Sequence, residues 1–198
     1  MSGSLPIATS RLKAIDRIIH VLQAAYPAFL QALKDDPDLG LEDLYLPAPQ
    51  EEAYYYQPYP ISEMPINRDP YVVVFPSDAR TLESRAASGP LGQTEFRDFL
   101  ITVVLVFKSD GGNQFERLGK TLTTHDTHWL RAEAYTGALA HVISEYACHV
   151  DSIHKIELVG DLSEIVMPEK RKFVGVCQTD WRIKQNVLIP RRRKLPEA

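Results

Sequence analysis

The chain has 198 residues, of which 44% are hydrophobic and 24% are charged, a composition typical of a globular domain with a sizeable core. Its net charge of −4 gives no general reason to expect nucleic-acid binding. No apolar run approaches the roughly 20 residues of a membrane span, and no signal-like segment opens the chain, so we expect a soluble protein.

The charge is unevenly distributed along the chain. Residues 1–99 hold 8 basic and 14 acidic side chains, whereas residues 100–198 hold 14 and 12. The asymmetry suits either head-to-tail contact between copies or an ordinary solvated surface.

The first 40 residues have helical character. Ser10 is a candidate N-cap, and the apolar residues after it recur at helical spacing (Leu12, Ile15, Ile19, Leu22, Tyr26 and Leu30). Pro27 interrupts the pattern, because proline lacks a backbone donor and clashes with the preceding turn. We expect the helix either to kink there or to end near Ala25, before a second short helix over residues 27–34. A turn over residues 35–40 follows.

Residues 41–70 form an arm that is rich in proline and tyrosine. It holds six of the 14 prolines, together with five tyrosines. A connection of this length is uncommon inside a compact domain, so the arm is either disordered or laid on another surface. The density of tyrosine favours the second, and we expect the arm to contact another chain. The candidate interface residues are Tyr54, Tyr55, Tyr56 and Tyr59.

Two apolar segments predict the strands of the core. Residues 71–75 form a short strand entered from Pro70. Residues 99–107, Phe-Leu-Ile-Thr-Val-Val-Leu-Val-Phe, are apolar on both alternating faces, which predicts a central strand. It is covered either on both sides within the protomer, or on one side by a neighbouring copy. Residues 76–94 and 109–124 are expected to be long loops, since turn residues such as Gly89, Pro90 and Gly111 punctuate them.

The strongest predicted helix runs from Thr124, its candidate cap, to about His149. Its expected buried side is Leu130, Ala134, Leu139, Val142, Ile143 and Tyr146. Three strands should follow: residues 155–159, a turn at Gly160-Asp161, residues 162–167, a second turn, and residues 173–183. Phe173, Cys177 and Trp181 should share the inner face of the last strand. Residues 187–189 should end the fold.

This order of elements predicts an α+β fold. A mostly antiparallel sheet carries one main helix, with N-terminal helices and long extended loops added. The chain is a single domain: a helical segment over residues 1–40, the arm over residues 41–70, the core over residues 71–190, and a basic tail over residues 191–198. The tail residues Arg191, Arg192 and Arg193 either form part of an interface or are solvated.

The sequence holds little that indicates catalysis. His125, Asp126 and His128 have the spacing of metal ligands on one helix turn, but a metal site needs further ligands from elsewhere, and solvated imidazoles at a polar helix start are the simpler interpretation. There is no phosphate-binding glycine loop and no Gly-x-Ser-x-Gly motif. Cys148 and Cys177 lack a close-spaced partner, so we expect free thiols in a reducing compartment. We predict neither enzymatic activity nor a cofactor.

The order of elements resembles a known family. A helical N-terminus, a proline-rich connection, Pro70-Tyr71-Val72-Val73-Val74, a polar loop, the strand at 99–107, one sheet-packing helix and terminal strands follow one another over roughly residues 10–190. This resembles the tail-terminator (tail-completion) proteins of tailed bacteriophages and, more loosely, other neck proteins of the same class. No invariant motif carries the resemblance, and the arm and the segment 76–94 are longer than in a minimal member.

The resemblance implies a structural role in the virion, at the head–tail junction, after assembly in the host cytoplasm. Six copies would form a ring that caps the tail tube and joins it to the head connector, while DNA passes through without being read. The implied partners are other copies of the chain, the tail-tube protein and the connector proteins. The alternatives are another phage structural subunit (a connector adaptor, tail-tube or baseplate protein) and a small metal-dependent hydrolase that uses the two histidines.

Overall fold

The fold is taken from a computed structural model, which describes residues 8–56, 69–77, 83–89, 92–110, 115–148, 153–169 and 172–190. The helices are α1 (Ala8–Asp35) and α2 (Thr124–Tyr146), and one 3-10 turn spans Glu51–Ala53. The strands are β1 (Tyr54–Tyr56), β2 (Tyr71–Pro76), β3 (Glu83–Gly89), β4 (Gly92–Asp110), β5 (Phe115–Arg117), β6 (Lys120–Leu122), β7 (Ile153–Glu169) and β8 (Lys172–Pro190). The α+β class predicted from the sequence is confirmed.

The first helix is continuous through Pro27, so the predicted second helix is not separate. A proline inside a helix costs about 3 kcal/mol. Here Tyr26 and Leu30, on either side of the proline, are both buried in the core, and this packing holds the helix together. The predicted cap was also wrong, because α1 already includes Ala8 and Ser10 therefore lies within its first turn.

The main sheet has the order β1-β2-β4-β8-β7, and β3 additionally pairs with β4. All its pairings are antiparallel except that of β1 with β2, which is parallel. The predicted central strand lies at the middle of this sheet, but it is longer than expected. β4 runs over 19 residues and pairs with β8 along its whole length.

Two segments expected to be loops contain hairpins. Within residues 76–94, β3 folds back on the start of β4, and within residues 109–124, β5 pairs with β6. β3 reads Glu-Ser-Arg-Ala-Ala-Ser-Gly, which lacks any alternation of apolar and polar residues. Its strand conformation follows from pairing with β4, which a local pattern does not reveal.

The predicted turn at Gly160-Asp161 was wrong. β7 continues through these residues, and its register with β8 shifts between Leu158 and Gly160. A β-bulge of this kind accommodates an extra residue without reversing the chain. The three strands predicted after α2 are therefore two long antiparallel strands, β7 and β8. Residues 187–189, which were expected to end the fold separately, belong to β8.

Both helices pack on the same face of the sheet, which we call the helix-covered face. Its side chains on β4 are Phe99, Ile101, Val103, Leu105 and Phe107, and they join α1 and α2 in the main apolar core. The opposite face, which we call the far face, has a smaller cluster without any residue of α1 or α2, centred on Val73, Val104 and Val106. Val104 and Val106 are buried, so this part of the stretch 99–107 is covered on both faces within the protomer, which is the first of the two predicted alternatives.

One glycine is required by the packing of the helix-covered face. Gly175 on β8 lies opposite Phe107 on β4. A Cβ atom at residue 175 would lie 2.2 Å from two carbon atoms of the Phe107 ring, closer than any real contact. The ring therefore fills the space that a side chain at residue 175 would otherwise occupy.

The cap of the second helix lies one residue before the predicted one. The Thr123 hydroxyl accepts a hydrogen bond from the Asp126 backbone N–H at 3.2 Å. The predicted buried side is right for Leu139, Val142 and Ile143, whereas Tyr146 is exposed. The helix also buries polar residues that the apolar pattern does not mark, among them His128 and Arg131.

Candidate assembly surfaces

Three tyrosines of the arm form β1, an edge strand of the protomer's own sheet. Tyr54 pairs with Val72, and Tyr55 pairs with Val73. Tyr54 packs against the main core and Tyr55 against the far-face cluster, where its ring meets Tyr71 edge-on at 6.4 Å between centroids. Burial raises the pKa of Tyr54 well above its ordinary value. Both side chains are half-buried in the chain itself, and their contact with another chain stays a prediction.

Of the other candidate interface residues, Tyr56 alone lies within the described part of the chain. Tyr56 contributes its backbone to β1, opposite Val74. Tyr59, Arg191, Arg192 and Arg193 lie outside the described residues, so their roles stay predictions.

The two histidines considered as metal ligands lie in different environments. His125 is exposed, with its Nδ1 atom 4.0 Å from Asp126 Oδ1. His128 is only 2% exposed, and its ring packs against that of Phe173 at a tilt of 45°, with the centroids 4.6 Å apart. The expectation of solvated imidazoles is therefore wrong for His128. Within the described ranges, no group of three or more His, Cys, Asp or Glu side chains could hold a metal ion.

The burial of His128 changes its protonation. Neither ring nitrogen has a hydrogen-bond partner among the described residues. Burial lowers the pKa of His128 to about 4, and the positive charges of Arg131 and His125 add to this effect. The imidazole is therefore neutral at physiological pH and acts as a packing group.

A buried arginine lies one turn further along α2. The Arg131 guanidinium carbon is 4.5 Å from the centroid of Phe107 and 5.4 Å from that of Tyr45, so the cation lies between two aromatic rings. Next to it, the Tyr135 hydroxyl donates to the Pro47 carbonyl at 2.8 Å, and the Tyr26 hydroxyl donates to the Tyr135 carbonyl at 3.1 Å. These bonds join α1, α2 and the segment before β1 into one polar column inside the core.

An exposed groove lies between the β5–β6 hairpin and the start of α2. It has a volume of about 480 Å³, and its apolar lining consists of Leu118, Leu122, Trp129 and Leu130. We call it the hairpin groove. Leu118 is 76% exposed and Trp129 is 44% exposed. The Arg117 Nε donates to the Leu39 carbonyl at 3.0 Å, which ties the hairpin to the turn after α1. Single exposed apolar residues are ordinary, but a groove lined by two exposed and two half-buried apolar residues is typical of a contact surface.

A second apolar surface lies on the last strand in the order of the main sheet. β7 is an edge strand, since β8 is the only described strand that pairs with it. Its exposed apolar side chains are Leu158, Val159, Leu162 and Val166, which we call the β7 edge patch. Leu158 lies opposite Trp181 and Leu162 lies opposite Gln178, so the bulge places them on different faces of the strand. A long exposed edge with apolar side chains is a surface on which another chain can pair.

The far face of the sheet is half apolar and half polar. Beyond the valine cluster, Thr102 donates to Asp180 Oδ1 at 2.5 Å and contacts the Ser77 hydroxyl at the same distance. Nearer the start of β4, Asp98 accepts hydrogen bonds from Nε of Arg182 on β8. The distances from this nitrogen to the two carboxylate oxygens are 2.9 and 2.8 Å. This bidentate pair and the hydroxyl network connect β2, β4 and β8 without apolar packing.

Sequence reasoning missed the hairpin groove, the buried arginine and the polar half of the far face. The only local signal for the groove is Leu118-Gly119 between charged residues, a two-residue hairpin turn in which both residues have positive φ. The aromatic partners of Arg131 come from β4 and from the segment before β1, so no spacing in the sequence brings them together.

None of the described helices is both long and apolar enough to cross a membrane. No protein-family model and no curated protein sequence matches the chain.

Proposed function

We propose that the protein is a structural subunit of a phage neck, a tail terminator whose copies form a ring that caps the tail tube and joins it to the head connector. The resemblance in element order suggests this role. The structural observation that best supports the proposed role is the length of the strands. A ring subunit needs surfaces for two neighbours and no catalytic group.

The strands are unusually long for a domain of this size. β4 and β8 each have 19 residues, whereas strands of globular proteins usually have 3–10. At 3.3 Å per residue β4 spans about 60 Å, while α2 spans about 35 Å at 1.5 Å per residue. The sheet is therefore longer than the helices that cover one of its faces. A sheet that extends beyond its own helical layer has surface available to neighbouring subunits.

In this role the chain acts through contacts alone. Its partners are further copies of itself, the tail-tube protein below the ring and the connector proteins above it. DNA passes through the ring without sequence readout, which agrees with the net charge of −4. Neither a cofactor nor a metal takes part, and the site of action is the head–tail junction of the virion.

A second candidate is another phage structural subunit, such as a connector adaptor, a tail-tube protein or a baseplate protein. The long strands support it equally, because they require a neighbour without identifying it. The two candidates differ in where the subunit sits and in what it stops or joins.

Particle imaging combined with mass measurement tests the proposal. We expect a hexamer at the tail–head junction of the assembled particle, whereas the purified chain alone can remain monomeric until it meets a tube end. Native mass spectrometry of the chain, alone and with its virion partners, measures both states. A single copy, a dimer, or a ring far from the junction would contradict the tail-terminator role and favour the second candidate.

A further inference from the structure

The exposed apolar residues of the described chain are concentrated on two surfaces. Of nine large apolar side chains that are exposed, six belong to the hairpin groove or to the β7 edge patch. The two surfaces lie on different elements, and no residue of β7 lines the groove of its own chain. Each copy therefore carries two separate apolar surfaces.

Leu118, at the tip of the β5–β6 hairpin, has a strained backbone conformation. Leu118 has φ +50°, in the left-handed region that a bulky side chain seldom adopts. A residue other than glycine adopts this conformation at a cost in free energy, because its Cβ crowds the following carbonyl oxygen. The bond from Arg117 to Leu39 holds the turn in place, so the leucine is fixed outward at the rim of the groove. A strained residue that displays an apolar side chain to solvent is typical of a binding contact.

The charges around the two surfaces are complementary. The hairpin side of the groove carries Arg117 and Lys120, and the helix side carries Asp126 and Glu133. On β7, Glu164 is exposed on the same face of the strand as Leu162. Arg117 and Asp126 are each already engaged, by the Leu39 carbonyl at 3.0 Å and by the Thr123 hydroxyl at 2.6 Å, which leaves Lys120 on the hairpin side and Glu133 on the helix side. Glu164 of β7 therefore matches Lys120 on the hairpin side.

We propose that the β7 edge patch of one copy docks in the hairpin groove of the next copy. An edge strand with apolar side chains on both of its faces fits a groove with two walls, and Glu164 then faces Lys120. Because the two surfaces differ, the contact is heterologous, and each copy both gives and receives one. The inference deepens the proposed function, since it names the surfaces through which ring neighbours meet.

The contact is weak by itself. Stable protein interfaces bury about 1,600 Å² in total, more than one groove of this size offers. Neighbours in a ring are held by further contacts, whereas two free copies are held by this one alone. The contact is therefore best detected by trapping it covalently.

A mixed disulfide cross-link provides the test. In a Cys148→Ser background, one sample carries Leu118→Cys and a second carries Leu162→Cys. Burial raises the pKa of the remaining thiol, Cys177, to about 12, so it does not compete. After mixing and mild oxidation we expect a dimer that links residues 118 and 162. The matched control replaces Leu162→Cys by Tyr146→Cys, an exposed apolar position outside both surfaces.

Charge reversal sharpens the test. Lys120→Glu in the first sample, or Glu164→Lys in the second, should lower the yield of the cross-link about fivefold, the change that about 1 kcal/mol produces. Both reversals together should restore it. A yield no higher than that of the control pair overturns the inference, as does preferential linkage of Leu118→Cys to itself.

The failure of this inference and that of the proposed function give different results. A ring at the tail–head junction whose neighbours meet elsewhere refutes the docking contact and leaves the function intact. A strong 118–162 cross-link in a protein that never joins a tail retains the contact and refutes the function.

Discussion

The two faces of the central sheet are formed by alternate residues of the same strands, yet they are held in different ways. On the helix-covered face, Phe99, Val103 and Phe107 belong to one large apolar cluster with both helices. On the far face, the small valine cluster is followed by Thr102 and Asp98, which bind partners on β8. One strand can therefore bury one side by apolar packing and the other partly by hydrogen bonding.

The largest expected effect is that of a charge on the helix-covered face. Val103→Asp should abolish soluble expression, because an unpaired buried charge costs several kcal/mol against a total stability of roughly 5–15 kcal/mol. The matched control is Leu100→Asp on the half-buried far side of the same strand, which should leave a soluble protein of lower stability. Soluble yield and the cooperativity of urea unfolding measure both. A cooperatively folding Val103→Asp protein would refute the central placement.

A smaller effect is expected at Gly175 on the helix-covered face, where the Phe107 ring leaves no room for a side chain. Gly175→Ala should lower the free energy of unfolding by about 2–3 kcal/mol, because the new methyl group overlaps the Phe107 ring. Gly160→Ala is the control, since a Cβ at that position meets nothing within 4 Å. Adding Phe107→Leu to Gly175→Ala should recover part of the loss. Equal stabilities for the two alanine variants would show that the strand or the Phe107 ring shifts at little cost to make room for the methyl group.

The parts of the fold that the sequence predicted are those with a local signal. Residues 99–107 read as a central strand because every position but Thr102 is apolar, whereas residues 92–98 of the same strand are mostly polar and become a strand by pairing with β3 and β8. Gly160-Asp161 suits a turn and a bulge equally, and only the register with β8 decides between them. The candidate surfaces depend on such long-range pairing, so the local pattern did not reveal them.

An effect of intermediate size concerns acid. The ordinary pKa of His128 is 6.5, and in the folded chain it is lowered to about 4. Between these values the unfolded chain binds more protons, so stability should fall as the pH drops from about 6.5 to 4 and stay constant above that range. We expect a loss of about 1–2 kcal/mol after allowing for solvent screening at the helix start.

Histidine variants test the origin of this acid effect. His128→Leu should flatten the pH dependence over that range, as followed by urea unfolding at a series of pH values. His20→Leu is the control, because His20 is exposed on α1 and, unlike His125, is not among the groups that lower the pKa of His128. Identical slopes in both variants and the parent chain would mean that another group accounts for the acid sensitivity.

The smallest expected effect tests the polar half of the far face. Thr102→Val keeps the shape of the side chain but removes the hydroxyl that donates to Asp180 and contacts Ser77. Asp180 keeps a bond from Gln178 Nε2 at 3.0 Å, so the loss should be limited to about 1 kcal/mol. The reciprocal variant, Val104→Thr, places a hydroxyl two residues away in the apolar half. It should cost about as much, because among the described residues the neighbours of that hydroxyl are apolar or aromatic side chains. If Thr102→Val were instead neutral or stabilising, the hydroxyl network would contribute nothing to stability. The far face would then be held by apolar packing and by the Arg182–Asp98 pair.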